Sequence, residues 1–111
     1  MLINVTRRKI LAHEYTLCTT NLSQAWGLMF SKRRTLVMTF PTERIVPLHM
    51  FFVFYPIDVL FLDRTKKIVE IKESFKPFCF YTPRCPACYV IELPAGVIQK
   101  TRTAVGDVLR F

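Results

Sequence analysis

One acidic side chain, Asp58, lies inside the most apolar part of the sequence, residues 50–62. A strand through this part would place Asp58, Leu60 and Leu62 on one face, because side chains alternate along a strand. An unpaired carboxylate among such neighbours is costly. Two interpretations therefore stay open: Asp58 accepts hydrogen bonds that hold a neighbouring loop or helix end, or it lines a cleft and acts on a ligand.

A small-ligand pocket is predicted around this carboxylate. Pro56 would interrupt the strand ladder and place the next residues at a sheet end, where loops meet and sites are usually found. A histidine and a methionine precede it, and a predicted helix near the start of the chain ends in Gly-Leu-Met. The predicted binding residues are Asp58, His49, Met50, Gly27 and Met29. A histidine beside Met and Phe is also typical of an ordinary structural group, so that alternative stays open.

Cys85 and Cys88 have the spacing of a redox or metal-binding pair. Redox pairs lie at a helix N-terminus, which lowers the thiol pKa, whereas Cys88 leads into a predicted strand. A structural zinc site normally takes four ligands. We therefore predict reduced thiols that pack in a loop and no cofactor. Two alternatives are kept: a metal site formed by Cys79, Cys85 and Cys88, and a reversible disulfide.

The composition bounds the class of protein. The 111 residues are 51% apolar and include ten Phe, which indicates one folded domain over residues 1–111. The longest apolar stretch, residues 50–62, is far shorter than the ~20 residues that span a bilayer, so no membrane association is expected. The first basic residues follow the first apolar ones, the reverse of the order in a signal peptide. A cytoplasmic location is therefore predicted.

Enzymatic activity has little support in the sequence. There is no Gly-x-Ser-x-Gly motif and no Gly-rich phosphate loop, and the chain has only three glycines. The prediction is a non-enzymatic domain that binds a small ligand or a protein. The net charge of +8, spread over small basic groups, makes electrostatic nucleic-acid binding the alternative function. A small enzyme that uses Asp58 is the third hypothesis.

The pattern of elements predicts a mainly β fold. Apolar and β-branched segments separated by prolines and polar turns predict strands over residues 9–18, 35–40, 48–55, 57–62, 68–75, 88–93 and 108–111. Helical spacing predicts a helix over residues 22–29, and a helical turn is expected over residues 95–100. Residues 76–87 hold three prolines and are expected to resist regular pairing. We expect an antiparallel β-sandwich or barrel-like domain of about six or seven strands with one or two short helices.

The chain contains an ordered set of short motifs: residues 27–30, Met50, residues 57–63, Ile68 with Val69, residues 89–96, and Gly106 with Asp107. This set resembles the uncharacterised family called Domain of Unknown Function 192. The likeness covers residues 10–111 and implies a compact β-rich domain with a helix near its start, but no established reaction. The family often has Lys-Asn-Thr after the methionine that matches Met50, whereas this chain has Phe-Phe-Val.

Overall fold

The computed structural model describes residues 1–18, 35–49, 55–77 and 79–111. Within these ranges the chain forms ten strands and one short helix, so the mainly β fold predicted from the sequence is confirmed. No helix in the described ranges is long and apolar enough to span a membrane. The elements, in chain order, are β1 (Leu2–Asn4), β2 (Lys9–Ala12), β3 (Thr16–Cys18), β4 (Leu36–Arg44), β5 (Leu48–His49), β6 (Ile57–Leu62), β7 (Ile68–Phe75), β8 (Phe80–Tyr81), β9 (Ala87–Pro94), α1 (Val97–Thr101) and β10 (Leu109–Arg110).

The strands form three sheets. The largest has five strands in the order β3-β4-β9-β6-β7, the second has three in the order β10-β1-β2, and the third pairs β5 with β8. Every named strand pair is antiparallel except β3 with β4, which is parallel. Strands β6 and β9 lie inside the five-stranded sheet, which explains why β6 is buried along its whole length.

The two faces of the five-stranded sheet carry separate apolar clusters. One cluster contains Leu60 of β6 and Ile91 of β9, and it packs with side chains from the three-stranded sheet and from Ile98 of α1. The other cluster contains Val59 and Val90, with side chains from the β5 region. The alternation along β6 and β9 therefore divides the core into two layers. We call the surface that carries Val59 and Val90 the second face.

Several predicted strands match the structure closely. The predicted strand over residues 57–62 is β6, that over residues 68–75 is β7, and that over residues 88–93 is β9 with one more residue at each end. The predicted helical turn is α1, which begins two residues later and ends one residue later than expected. These segments have a clear period of two or firm polar boundaries, so the pattern locates them well.

Other predictions are wrong in part. Residues 9–18 form two strands in different sheets, because the chain leaves one sheet after Ala12 and enters the other at Thr16. Strand β4 passes Pro41, which lies within a register shift between Thr39 and Arg44, where no regular ladder bond is needed from its nitrogen. Part of the proline-rich residues 76–87 does pair, since β8 is bonded to β5. The described residues alone therefore contain ten strands, more than the expected six or seven, while the mainly β class holds.

Two predicted elements extend outside the described residues. The predicted helix over residues 22–29 lies there entirely, as does most of the predicted strand over residues 48–55, of which only β5 is described. Gly27, Met29 and Met50 of the predicted pocket therefore lie outside the described residues. His49 is described as the second residue of β5, and its backbone pairs with Phe80.

Candidate functional site

The Asp58 carboxylate connects three elements of the fold through hydrogen bonds. Its carboxylate is only 1% exposed, on the sheet face that packs against α1. Oδ2 accepts hydrogen bonds from the backbone N–H groups of Gly96 (3.0 Å) and Ile98 (3.1 Å), and Oδ1 accepts one from Ser74 (3.0 Å). The carboxylate therefore joins β6 to the start of the helix and to the end of β7. These contacts support the first of the two interpretations of Asp58, a carboxylate that holds a helix end and a neighbouring strand.

The start of α1 explains why a distant carboxylate is needed there. Gly96 precedes the helix with a φ of 98°, and no side chain near in sequence caps the free N–H groups. The first N–H groups of a helix have no partner inside it, and a negative charge at this end is favourable. Asp58 supplies both the acceptors and the charge from another element.

Asp107 holds a second polar contact that ties the two ends of the chain together. Its Oδ2 accepts hydrogen bonds from Asn4 Nδ2 (2.9 Å), Arg7 Nε (2.9 Å) and the Ala104 N–H (3.0 Å), and Asn4 also donates to Thr103 Oγ1 (3.1 Å). Burial alone would raise the pKa of the Asp107 carboxyl, but these hydrogen bonds and the Arg7 charge lower it below its ordinary value. This carboxylate, too, is committed to the fold.

Glu70 accepts hydrogen bonds from the loop that precedes β9 and contains Cys85. It accepts hydrogen bonds from the Tyr81 hydroxyl, from the Arg84 N–H (2.8 Å) and from the Cys85 N–H (3.0 Å). Burial, as the larger cause, and the hydrogen bond to Glu70 together raise the pKa of Tyr81 to about 12. The Cys88 thiol is buried and donates to the Phe40 carbonyl (3.0 Å). Cys85 is thus held in this loop through its backbone N–H, whereas Cys88 is held in β9 through its thiol.

All four cysteines are free thiols. The described ranges contain no group of three or more His, Cys, Asp or Glu side chains that could hold a metal ion. Cys79, Cys85 and Cys88 all lie within those ranges and are not assembled into a ligand set. The packing interpretation of the cysteine pair stays a prediction.

Glu92 differs from the other buried carboxyl groups. It is 5% exposed, and within the described residues its carboxyl makes no hydrogen bond or salt bridge. It extends from β9 on the second face, where Leu36 of β4 and Val59 of β6 lie directly opposite on either side. Burial in this apolar setting raises the pKa of Glu92 to about 7. A protonatable carboxyl without a partner in the described structure is therefore left on the second face.

A thiol lies close to this carboxyl. Cys18, the last residue of β3, is buried, and its strand lies next to β4. Burial raises the pKa of the Cys18 thiol, and the charge of Glu92 raises it further. An ionised Cys18 is therefore disfavoured, which makes this thiol a poor nucleophile.

Sequence reasoning missed Glu92, although the signal that singled out Asp58 applies to it equally. Residues 88–93 alternate so that Val90 and Glu92 share one face while Ile91 and Leu93 share the other, and both faces are apolar. A strand that is apolar on both faces is typical of the interior of a sheet. A carboxyl on such a strand is buried, whichever face it lies on.

The fold and the buried carboxylates define a small β-rich domain whose polar groups largely serve its own structure. The family model DUF192, described as "Uncharacterized ACR, COG1430", matches residues 3–111. The chain belongs to this family, which confirms the resemblance read from its motifs. A UPF0127 protein of Thermococcus sibiricus is 36% identical over 96% of this chain and 71% of its own length. One of Pyrococcus furiosus is 34% identical over 99% of this chain and 97% of its own length.

Two solved structures share the fold. A Novosphingobium aromaticivorans protein of unknown function superposes with a TM-score of 0.77 at 19% identity, over 87% of this chain and 74% of its own. A Sinorhizobium meliloti protein, described as a "putative transcription regulator", superposes with a TM-score of 0.80 at 25% identity, over 98% of this chain and 88% of its own.

Proposed function

We propose that this protein is a non-enzymatic domain that binds a small ligand on the second face of the five-stranded sheet, through Glu92. The observation that carries the proposal is that this one buried carboxyl has no hydrogen bond or salt bridge within the described residues. Asp58, Asp107 and Glu70 each accept three hydrogen bonds from the protein itself. Glu92 has no such bond in the described residues although it is buried. A buried polar group without a partner is costly, and a ligand would supply the partner.

The position of Glu92 supports a site at a sheet end. Leu36, which lies opposite Glu92, is the first residue of β4, and Glu92 itself is two residues from the end of β9. Residues 19–34 and 50–54, which contain most of the pocket predicted from the sequence, join the described chain at Thr35 and Tyr55. Thr35 immediately precedes Leu36, so one of these junctions is beside Glu92. Sheet ends of this kind commonly carry binding sites.

The chemistry of the site indicates the class of ligand. A carboxyl with a pKa of about 7 accepts hydrogen bonds and pairs with cations when ionised, and it donates one hydrogen bond when protonated. Its described neighbours are aliphatic side chains and one thiol, which add no second charge. The best match is a small, largely apolar molecule with one amine, guanidine or amide group. Cationic ligands would bind more tightly as the pH rises through 7.

A thermal-shift screen tests this function. The probes are fragment-sized amines, guanidines and amides, measured at pH 6 and pH 8 against the wild type, Glu92→Gln and Glu73→Gln. Glu73 is exposed on β7, so Glu73→Gln is the matched control for removing a carboxylate. We expect hits that raise the melting temperature of the wild type and of Glu73→Gln but leave Glu92→Gln unchanged. Equal stabilisation of all three, or no hits with the wild type, would contradict the proposal.

Asp58→Asn adds a second comparison to the same screen. Because Asp58 is bound to three backbone N–H groups, we expect its variant to be less stable but to gain the same increment from each hit as the wild type. A hit whose increment disappears in Asp58→Asn but persists in Glu92→Gln would move the ligand site to the α1 side of the sheet.

Electrostatic nucleic-acid binding is the second candidate. Two observations favour it: the net charge of +8 and the regulator description of the Sinorhizobium meliloti protein. Contacts with phosphates weaken steeply as salt is raised, because bound counterions are released. Fluorescence anisotropy with a labelled single-stranded oligonucleotide would detect such binding at low salt and its loss at moderate salt. Binding that did not change with salt would count against a phosphate-driven interaction.

A further inference from the structure

The outer face of the three-stranded sheet is apolar where a solvent-facing sheet is usually polar. Along β1, Leu2 and Asn4 are buried, so Ile3 between them extends to the opposite side. Ile3 pairs with Ile10 of β2 and with Arg110 of β10, which places these side chains in one row across the sheet. Antiparallel sheets that have one wet face normally alternate apolar and polar residues. Here two of the three side chains in the row on the solvent side, Ile3 and Ile10, are apolar.

A second row of this face is apolar as well. The Val5 N–H donates to the Val108 carbonyl (2.9 Å), so these two valines lie side by side beyond the first row. Val5 and Ile10 are each 46% exposed and Val108 is 40% exposed. We call the surface of Ile3, Val5, Ile10 and Val108 the outer patch. Contiguous exposed apolar side chains give a partner apolar area to bury.

The rim of the outer patch is positively charged. Arg110 lies in the first row, Lys67 is bridged to Val108, and Arg8 lies in the turn between β1 and β2. Within the described residues, none of these three side chains forms a salt bridge, since the two ion pairs found involve Arg7 and Arg64. The rim charges are therefore available to a partner.

The acidic groups nearest to the outer patch do not cancel this charge. Asp107 is buried and committed to Asn4 and Arg7. Asp63 accepts hydrogen bonds from the Thr65 N–H and hydroxyl and from the Lys67 N–H, within its own turn. Both carboxylates serve local structure, and the surface that a partner meets is apolar at its centre and basic at its edge.

The size and charge of the outer patch argue against a second copy of this chain. Three strands about 4.8 Å apart, with five residues of about 3.3 Å each, cover on the order of 240 Å². Stable interfaces bury roughly 800 Å² on each partner. Pairing two such patches would also bring like charges together around a small contact, on a chain of net charge +8. A short segment of another protein fits the available area.

We propose that the outer patch docks a short segment of a partner protein that carries apolar side chains flanked by Asp or Glu. The apolar centre excludes water from the partner's apolar groups, and Arg8, Lys67 and Arg110 attract its carboxylates. The patch has aliphatic side chains and no aromatic side chain on which a nucleobase could stack, so a protein is favoured over a single-stranded nucleic acid.

The experiment is a selection from a random dodecapeptide library on the wild-type protein, followed by affinity measurement with the enriched peptides. Enriched sequences are expected to combine acidic and apolar residues. The double variant Val5→Ser, Val108→Ser should weaken their binding roughly tenfold. It keeps the backbone bond between the two residues, and its fold is checked by circular dichroism. Leu17→Ser is the matched control, because Leu17 is exposed on β3 of the other sheet and should not affect binding.

Charge reversal gives an independent variant. Arg110→Glu leaves the apolar centre of the outer patch intact. It should bind the acidic peptides more weakly than the wild type does, and its affinity should depend less on the salt concentration. The proposal is overturned if no peptides are enriched, if they lack acidic residues, or if the double variant binds them unchanged. It is also overturned if the valines are needed instead for binding an oligonucleotide or phosphatidylserine vesicles, or for dimerisation in analytical ultracentrifugation.

Discussion

The loss of the Asp58 carboxylate is expected to destabilise the fold by a predictable amount. Asp58→Ala removes the acceptors of three backbone N–H groups, those of Ser74, Gly96 and Ile98. A buried N–H group left without a partner costs roughly 1–3 kcal/mol. The Ile98 bond is fully buried and the other two are partly buried, so water can compensate in part at those two sites. We expect a loss of about 3–5 kcal/mol in the free energy of unfolding.

Asp58→Asn separates the geometry from the charge. The amide oxygen can still accept from two of the three N–H groups, while the amide nitrogen faces the third as a second donor. We therefore expect a smaller loss, about 1–2 kcal/mol. Asp63→Asn is the matched control, since Asp63 accepts its bonds in an exposed turn that Asn also forms. Its effect should stay within about 0.5 kcal/mol.

Urea unfolding, followed by circular dichroism, measures all three variants. Hydrogen exchange adds a local readout, because the Ile98 amide should lose protection in Asp58→Ala before the core strands do. A cost below about 1 kcal/mol for Asp58→Ala would refute the reasoning. Such a result would mean that the three N–H groups find other hydrogen-bond acceptors when the carboxylate is absent. It would contradict the structural role of Asp58.

Three further predictions concern the other carboxyl groups. Glu92 should ionise near pH 4.5 in the unfolded chain but only near pH 7 in the folded one. The free energy of unfolding of the wild type should therefore decrease by about 3 kcal/mol as the pH rises through this range. Urea titrations at pH 5 and pH 8 should show this decrease in the wild type but not in Glu92→Gln. Asp107 has a lowered pKa in the folded state, so the stability that it contributes above its ordinary pKa is lost as the pH falls through the folded value. Asn4→Ala removes one of its donors and should lower the free energy of unfolding by about 2 kcal/mol at pH 7. Acid unfolding of this variant, followed by circular dichroism, should occur at higher pH than in the wild type. Tyr81→Phe leaves Glu70 without one donor, so it should lower the free energy of unfolding in urea by about 1 kcal/mol. The same variant should lack the phenol that ionises near pH 12 in ultraviolet difference spectra of the wild type.

The strands with strong local patterns could be predicted from the sequence. Strands β6 and β7 flank the polar turn of residues 63–67, and β7 alternates clearly, so both have the predicted bounds. The break between β2 and β3 could not be predicted, because a period of two shows which residues share a face but not to which sheet a strand belongs. The parallel pairing of β3 with β4 is likewise a property of the whole topology.

The buried polar sites could be predicted only in part. The apolar neighbours of Asp58 indicated a buried carboxylate, and the structural alternative specified a loop or helix end as its partner. The identity of that partner, the start of α1, depends on residues 38 and 40 positions later and on the pairing of β6 with β9. The patterning that indicated Asp58 also applies to Glu92, but nothing local distinguishes a carboxyl with three donors from one that has none among the described residues.

The most direct test of the central claim is the titration of the Glu92 carboxyl, observed by its side-chain ¹³C chemical shift in nuclear magnetic resonance. The claim is that this buried group is uncommitted and open to a ligand. Glu73→Gln and Glu92→Gln assign the two resonances, and the exposed Glu73 provides the reference. We predict a Glu92 midpoint near pH 7, well above its ordinary value of 4.5. A midpoint at or below 4.5 would contradict the claim, because it would mean that donors or a positive charge within the protein already stabilise the carboxylate.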